Sequence, residues 1–438
     1  LHDALPIFTS CTDESLEPKV VDSSDITTNP ITTVDGLKMV VNGAYKNMMQ
    51  YPYYGRDYVI YNEVHSDNAF SNGNSGRFLN EAEFRTLLTS GNAAETWQTI
   101  YQVIAMANIA INANVTSGDA AEINAVKAEA YAIRAIAHFD LMKLYGQQHV
   151  TVSTTSLTVP YITVYGPITE ENYTRLTLAE IKAKLEDDLA TAESLASNNI
   201  STKVKFNKQS ILGLKARVAL YMAPFFGDAE YTTALDNATQ AIALGGQVAT
   251  ATEFVSIFES GEAGINSVFE LQFLSNDNLA VNSLFQIYSN SPYGDVFAAQ
   301  NVKDVLFADA NDIRGTLVYD DANGTLRNQG KYLNRADNVK IMRFEELVLT
   351  AAEAAFRTGN TTTALDYVNQ IANNRGIAAY TTVTLEDILN ERRKELAFEG
   401  FRFDDLMRTQ SDIPTINERL AVDTPEYGDY RLAFPIPQ

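Results

Sequence analysis

A five-residue motif occurs twice in this chain, at the same point of a helical pattern each time. Thr232-Thr233-Ala234-Leu235-Asp236 returns as Thr362-Thr363-Ala364-Leu365-Asp366. Each copy follows an Ala-rich helical stretch and a glycine-containing turn, from Leu214 to Gly227 and from Leu347 to Gly359. Small side chains let two helix axes approach closely. The pattern therefore predicts helix–turn–helix units stacked through alanine contacts, as in degenerate tetratricopeptide repeats. Chance recurrence in an Ala-rich helical chain is the competing reading.

The rest of the chain extends the helical signal. Leu37, Val40, Val41 and Ala44 recur at i, i+3, i+4 and i+7, and Trp97, Ile100, Tyr101, Ile104 and Asn108 share one face. Asp119 with Glu122 caps a helix expected to reach about Tyr145. Thr177-Leu178-Ala179-Glu180 is a capping box ahead of Ile181, Leu185 and Leu189. Further helices are expected over 209–222 and 231–244. Residues 150–170 read as a short strand or extended crossover, and 268–273 as a short strand. Two stretches, 50–80 and 275–335, are rich in Asn, Gly and aromatics without a sustained period; both read as long irregular loops, where function concentrates. Residues 12–35 are polar and read as an extended arm, so the chain divides into an N-terminal segment, 1–35, and one domain, 36–438.

Residues 384–408 place charges where apolar side chains are expected. Leu385, Ile388, Leu389 and Leu396 form one stripe at about 100° per residue, with Thr384 as N-cap and Gly400 as the stop. Arg392 and Glu399 project from that stripe and Glu395 from its edge. Unpaired charges there would cost several kcal/mol to bury, so structural ion pairs are expected, among these three residues or with a neighbouring element; a solvated face is the alternative.

Composition removes several functions. The 33 Lys and Arg against 55 Asp and Glu give a net charge of −22, which argues against nucleic acid and anionic bilayers. No run of about 18 or more apolar residues exists. The single cysteine, Cys11, excludes an internal disulfide and a cysteine metal cluster. Nucleophile-elbow, dinucleotide and P-loop signatures are lacking, and the four histidines show no ligand spacing. His138 is expected in the core. No cofactor and no metal are expected; Asp321-Ala322-Asn323-Gly324 resembles part of a calcium loop but reads better as a glycine turn. A glycosidase carboxylate pair cannot be tested by counting.

What remains is a binding surface. Tyr51, Tyr53, Tyr54, Tyr58 and Tyr61 precede Asp67, Asn68, Phe70, Asn72, Asn74 and Arg77, and Tyr288, Tyr293 and Phe297 form a second set. Sugars pack their C–H faces on rings and need amide, carboxylate or guanidinium partners for their hydroxyls. The same residues suit an ordered loop whose tyrosines plug a core. Trp97, on a regular helical face, reads as core rather than as a sugar platform.

The segment Glu391-Arg392-Arg393-Lys394-Glu395-Leu396-Ala397-Phe398-Glu399-Gly400-Phe401-Arg402-Phe403 resembles the C-terminal signature of the SusD/RagB family. The resemblance extends to Trp97 through Asn108, Lys127 through Gly146, Arg343 through Ala354, and Arg375-Gly376. It departs at Gln147-Gln148-His149, and a short tail after Pro435-Ile436-Pro437 is expected to be missing. The resemblance implies a mainly α, tetratricopeptide-like scaffold of about four helix pairs with long loops and a few short strands. It implies a Bacteroidetes outer-membrane, surface-exposed lipoprotein, attached only through a lipid on Cys11, that captures an oligosaccharide or other nutrient. The partner implied is a SusC-like TonB-dependent transporter, and no catalysis is implied. The ligand residues expected are Tyr53, Tyr54, Asp67, Asn68, Phe70, Arg77, Tyr288, Tyr293 and Phe297. The opening heptapeptide has neither a basic n-region nor an apolar h-region, so residues 1–8 read as truncated or non-native. A peptide-binding repeat scaffold and, behind it, a carbohydrate-active enzyme are the alternatives.

Overall fold

A computed structural model describes residues 30–166, 174–254, 256–258, 263–289, 293–419 and 423–437. Cys11 and most of the polar arm lie outside the described residues. The longer helices are α1 (Val34–Met48), α2 (Asp57–Val64), α3 (Gly91–Asn112), α4 (Ala120–Tyr145), α5 (Leu178–Leu195), α6 (Lys208–Phe226), α7 (Asp228–Ala243), α8 (Phe344–Arg357), α9 (Thr361–Asn373), α10 (Leu385–Leu396) and α11 (Arg402–Arg408). Six short strands form three antiparallel pairs: β1 (Ala69–Ser71) with β3 (Val296–Ala298), β2 (Ser267–Leu271) with β6 (Val339–Arg343), and β4 (Val318–Asp320) with β5 (Leu326–Asn328).

The helices stack in an almost unbroken series. α1 packs on α3, α3 on α4, α4 on α5, and so on through α6, α7 and α8 to α9, with α10 against α8. The repeated motif lies in the second helix of a pair in both copies, at its start in α9 and one turn in for α7. Its alanines, Ala234 on α7 and Ala364 on α9, are fully buried. Ala219, Ala223, Ala234 and Ala354 share one cluster; Ala352, Ala355 and Ala364 share another with Val368 and Ile388. Methyl-sized side chains set these close contacts.

Caps fix several starts as expected: Asp119 accepts from the Glu122 N–H, and Thr177 with Glu180 closes a reciprocal capping box. Two expectations change, and one is narrowed to the extended alternative. Residues 50–80 hold α2, whose eight residues are all buried; a helix covered on every side shows no amphipathic period. Residues 152–166 form no strand beyond an isolated bridge from Leu157 to Thr177. This extended strap is pinned instead by side chains, the Tyr101 hydroxyl donating to Pro160 O (2.9 Å) and the Asn108 amide to Ile162 O (2.9 Å). β2 is buried at every position, with register shifts around Phe269, which explains its imperfect alternation.

The second change concerns 384–408. Thr384 is the expected N-cap and closes a capping box with Asp387, but α10 ends at Leu396, four residues before Gly400. Lys331 Nζ takes the carbonyls of Glu395 (2.9 Å) and Ala397 (2.8 Å), and the backbone turns away, with Phe398 at φ 67°. Gly400, at φ 82°, passes so close to α2 that a Cβ would sit 3.0 Å from Val59 Cα. Glu399 therefore lies beyond the helix.

The charges are paired with other elements and not with one another. Arg392 meets Asp405 of α11 at 2.9 Å. Glu395 takes Arg375 (2.8 Å), Arg343 (3.1 Å) and Arg314 (3.5 Å); Glu399 takes Arg343 (2.8 Å) and Lys331 (2.6 Å). Burial works to raise the Glu395 carboxyl, but the three guanidiniums outweigh it and hold it far below the usual carboxylate range. Residues from β6, the Arg314 turn and the end of α9 thus converge on one helix.

Candidate functional site

β1 and β3 pair with Phe70 opposite Phe297. Side chains alternate across a strand, so the register turns Ala69, Ser71, Val296 and Ala298 inward and leaves the two phenylalanines half-buried on the outer face. Their rings meet edge to face, 5.6 Å apart and at 88°. Arg327 of β5 places its guanidinium 4.3 Å from the Phe297 ring centre and is itself held by Asp321 at 2.7 Å.

The turn after β1 is tied to the strand entering β3. Asn72 donates to Gly294 O (2.9 Å), Ser75 to one oxygen of Asp295 (2.6 Å) and Arg77 to the other (3.1 Å). Arg77 also lies over the Tyr293 ring at 4.3 Å. Beside the two phenylalanines opens a cavity of about 450 Å³, completed by Asn72, Asn74, Gln300, Thr325 and Glu418. Ring faces, amides, a hydroxyl and one carboxylate surround a space of ligand size.

The structure thus gathers Phe70, Arg77, Tyr293 and Phe297, from both irregular stretches, at one surface. The other five expected ligand residues are buried. Tyr53 and Tyr54 send their hydroxyls to one Asp140 oxygen, both at 2.6 Å, while Tyr58 reaches the other at 2.7 Å. Their rings pack on one another inside the core and present no face to a sugar. Tyr288, 1% exposed, stacks on Tyr332. Asp67 is gripped by Arg402 (2.7 Å) and Arg393 (3.0 Å). Burial opposes its ionisation, but these two arginines prevail and hold the carboxyl below its ordinary range. Asn68 bridges Arg393 (2.8 Å) and Glu63 (3.0 Å). Both residues anchor the start of β1.

Gln300, Thr325 and Glu418 were not legible as site residues, because each comes from a separate segment and only the fold brings them together. Asp295 carried no distinguishing pattern either. The Asp321 turn is explained without a cation: one carboxylate oxygen accepts the N–H groups of Asn323 (2.9 Å) and Thr325 (3.0 Å), and the other accepts Arg327. Trp97 is half-buried between Tyr101 and Tyr145, with ring centres at 4.9 and 4.8 Å. His138 donates from Nδ1 to Arg134 O and accepts at Nε2 from the Ile162 N–H, each at 2.9 Å, which fixes a neutral ring in the core. A larger depression, about 1130 Å³, lies between the 84–88 turn and the C-terminal residues. Its three arginines are occupied: Arg85 pairs with Glu83, Arg175 donates to backbone carbonyls, and Arg431 donates to Asp429 and Asp423.

Residues 17–220 match the family described as "Starch-binding associating with outer membrane", and residues 319–425 match the SusD family. This chain belongs to the SusD/RagB family. A SusD-like protein of Formosa agariphila is 24% identical, the match covering 96% of this chain and 94% of that one. A SusD superfamily protein from Bacteroides vulgatus superposes with a TM-score of 0.85 at 27% identity, covering 93% and 96% of the two chains. Another from Bacteroides thetaiotaomicron gives 0.83 at 26%, covering 93% and 97%. The family is one of outer-membrane-associated nutrient-binding proteins of Bacteroidetes. Among the described residues, no helix is long and apolar enough to cross a membrane.

Proposed function

We propose that this SusD-family chain captures an oligosaccharide on the β1–β3 platform and delivers it, unaltered, to a SusC-like TonB-dependent transporter. The observation that carries the reading is the outward pair Phe70 and Phe297, set at right angles beside a cavity of amides and a carboxylate. Two rings in an edge-to-face corner can hold a chain of sugars along two of its faces, while the amides take its hydroxyls. The family's description as starch-binding points to the same ligand class. Catalysis has little support. A glycosidase needs two facing carboxyls, and among the described residues lining this cavity Glu418 is the one carboxylate. Asp295, behind the platform, has an oxygen bonded to each of Ser75 and Arg77.

Calorimetry with glucan oligosaccharides tests the site: Phe297→Ala should weaken binding about five- to ten-fold, the contribution of one aromatic contact, with the unfolding midpoint nearly unchanged. Undiminished affinity would place the ligand elsewhere. Turnover of any polysaccharide by pure protein would overturn the non-catalytic reading. Attachment through Cys11 is tested by Cys11→Ser in an exported full-length protein, which should be released from the membrane. Retention would remove the lipid-anchor proposal.

A further inference from the structure

We infer that Glu418 is a ligand-reading carboxylate of this platform and that it restricts the site to uncharged glycans. The inference rests on the glycan reading above and adds a residue and a substrate class to it. Glu418 follows α11 in the chain and lines the cavity together with residues from β1 and β3. The Gln300 N–H fixes its Oε1 at 2.7 Å. No hydrogen bond to Oε2 occurs among the described residues, and the half-buried side chain lines the cavity, which leaves that oxygen's acceptor capacity for a ligand. A carboxylate accepts and never donates at neutral pH, and charge-assisted O–H···O⁻ bonds are short and strong. Sugar hydroxyls are the matching donors.

Charge decides the class. The neighbouring cations are committed elsewhere: Arg77 to Asp295 and the Tyr293 ring, Arg327 to Asp321, and Lys303 to Asp320. Arg419, next in the chain, is buried and donates to the carbonyls of Val64 (3.1 Å) and Ser66 (2.8 Å). The two nearby stretches outside the described residues, 290–292 and 420–422, are Asn-Ser-Pro and Leu-Ala-Val and carry no charge. Among the described residues, Glu418 therefore has no compensating cation at the cavity. A uronate or sulfate seated there would meet an uncompensated carboxylate at close range, inside a protein of net charge −22. At separations of about 4 Å and a surface-like dielectric, like-charge repulsion amounts to at least roughly ten-fold in binding.

The test is affinity electrophoresis and calorimetry of the mature protein against neutral glucans, xylans and mannans beside polygalacturonate, alginate and sulfated galactans, with Glu418→Gln and Phe297→Ala in parallel. Neutral glycan should bind, and anionic glycan should not. Glu418→Gln should lower neutral-glycan affinity by roughly ten-fold without moving the unfolding midpoint, and should reduce the discrimination against anionic glycan. Salt-sensitive binding of a polyuronate or sulfated glycan by the unaltered protein overturns the inference and leaves the glycan reading intact. Neutral-glycan affinity that survives Glu418→Gln but falls with Phe297→Ala removes Glu418 as a ligand contact alone. Binding of no glycan overturns the glycan reading, and the inference with it.

Discussion

Replacing Glu395 by Gln tests whether the buried charges of the C-terminal segment hold the scaffold together. The carboxylate accepts Arg375 through both oxygens, each at 2.8 Å, and Arg343 at 3.1 Å, with Arg314 at 3.5 Å. All four side chains are essentially inaccessible. Removing one partner of a buried ion pair usually destabilises by about 3–5 kcal/mol, since the remaining charge is left uncompensated. Here the balance is softer. Arg314, Lys331, Arg343 and Arg375 keep Asp312, Glu345, Glu391 and Glu399 after the substitution, four cations against four carboxylates. The expected loss is thus near the lower end, about 3 kcal/mol. The Gln amide nitrogen, pointed at a guanidinium, cannot accept the bond it replaces. Because the folded carboxyl is depressed below its unfolded value of 4.5, its contribution is present above that pH and disappears only in strong acid. The difference between the two proteins should therefore be constant from pH 5 upward. Urea unfolding followed by circular dichroism and by the fluorescence of the single tryptophan, Trp97 on α3, measures it with two separated probes. A loss below about 1 kcal/mol, the range of surface pairs, would show that the arginines re-pair freely, and the structural role assigned to Glu395 would fall.

Tyr53→Phe removes one of three hydroxyls on Asp140 and should cost about 1–3 kcal/mol of stability, while glycan affinity stays unchanged. A selective loss of affinity would return Tyr53 to the site. Gly400→Ala should destabilise by more than about 1 kcal/mol, since the position has φ 82° and the added Cβ meets Val59 backbone at 3.0 Å; thermal unfolding reads it, and an unchanged midpoint would contradict the turn geometry. Burial lowers His65, His138 and His149 from 6.5 to about 3, so the unfolded chain takes up protons that the folded one refuses, and stability falls as pH drops from about 6.5 toward 3. Burial raises Asp57 to about 6 and Glu129 to about 7, which acts in the opposite direction between pH 4 and 7. Burial raises Glu63, Glu81 and Asp404 as well, so the histidine contribution is read by difference: His149→Gln should lessen the loss of stability between about pH 6.5 and 4 relative to the unaltered protein, and an unchanged pH dependence would refute a neutral buried His149.

The sequence made the scaffold legible because helix pairing leaves local marks. A capping residue, a 3.6-residue stripe and an alanine at a contact each lie within one turn of chain, as Thr177 and Ala364 illustrate. α2 leaves no such mark, since total burial removes the contrast that a periodicity needs. Site residues divide along the same line. Phe70 and Phe297 were legible as chemistry, but whether a ring faces solvent depends on strand register. Tyr53 and Tyr54 have identical chemistry and were drawn inward by Asp140, more than eighty residues distant. Glu418 carried no local signal at all.

The charged C-terminal segment also bears on the binding platform. Arg393, on the outer side of α10, donates to Asn68 (2.8 Å), one residue before β1, and to Asn301 (2.9 Å), three residues after β3. Asn68 O in turn accepts the Ala299 N–H at 2.9 Å. Arg402 of α11 fixes Asp67 from the other side of the turn at Gly400. A two-stranded ladder of three residues per strand has little stability of its own in water. Its register, and hence the opposition of Phe70 to Phe297, is set by guanidinium forks projecting from the helical scaffold. The inner charges of the same segment, through Glu395 and Glu399, lock α10 to β6 and the Arg375 turn. One face of this segment thus secures the scaffold while the other holds the platform strands. Bidentate guanidinium geometry suits both tasks, because planar forks specify direction where a lysine would supply only charge.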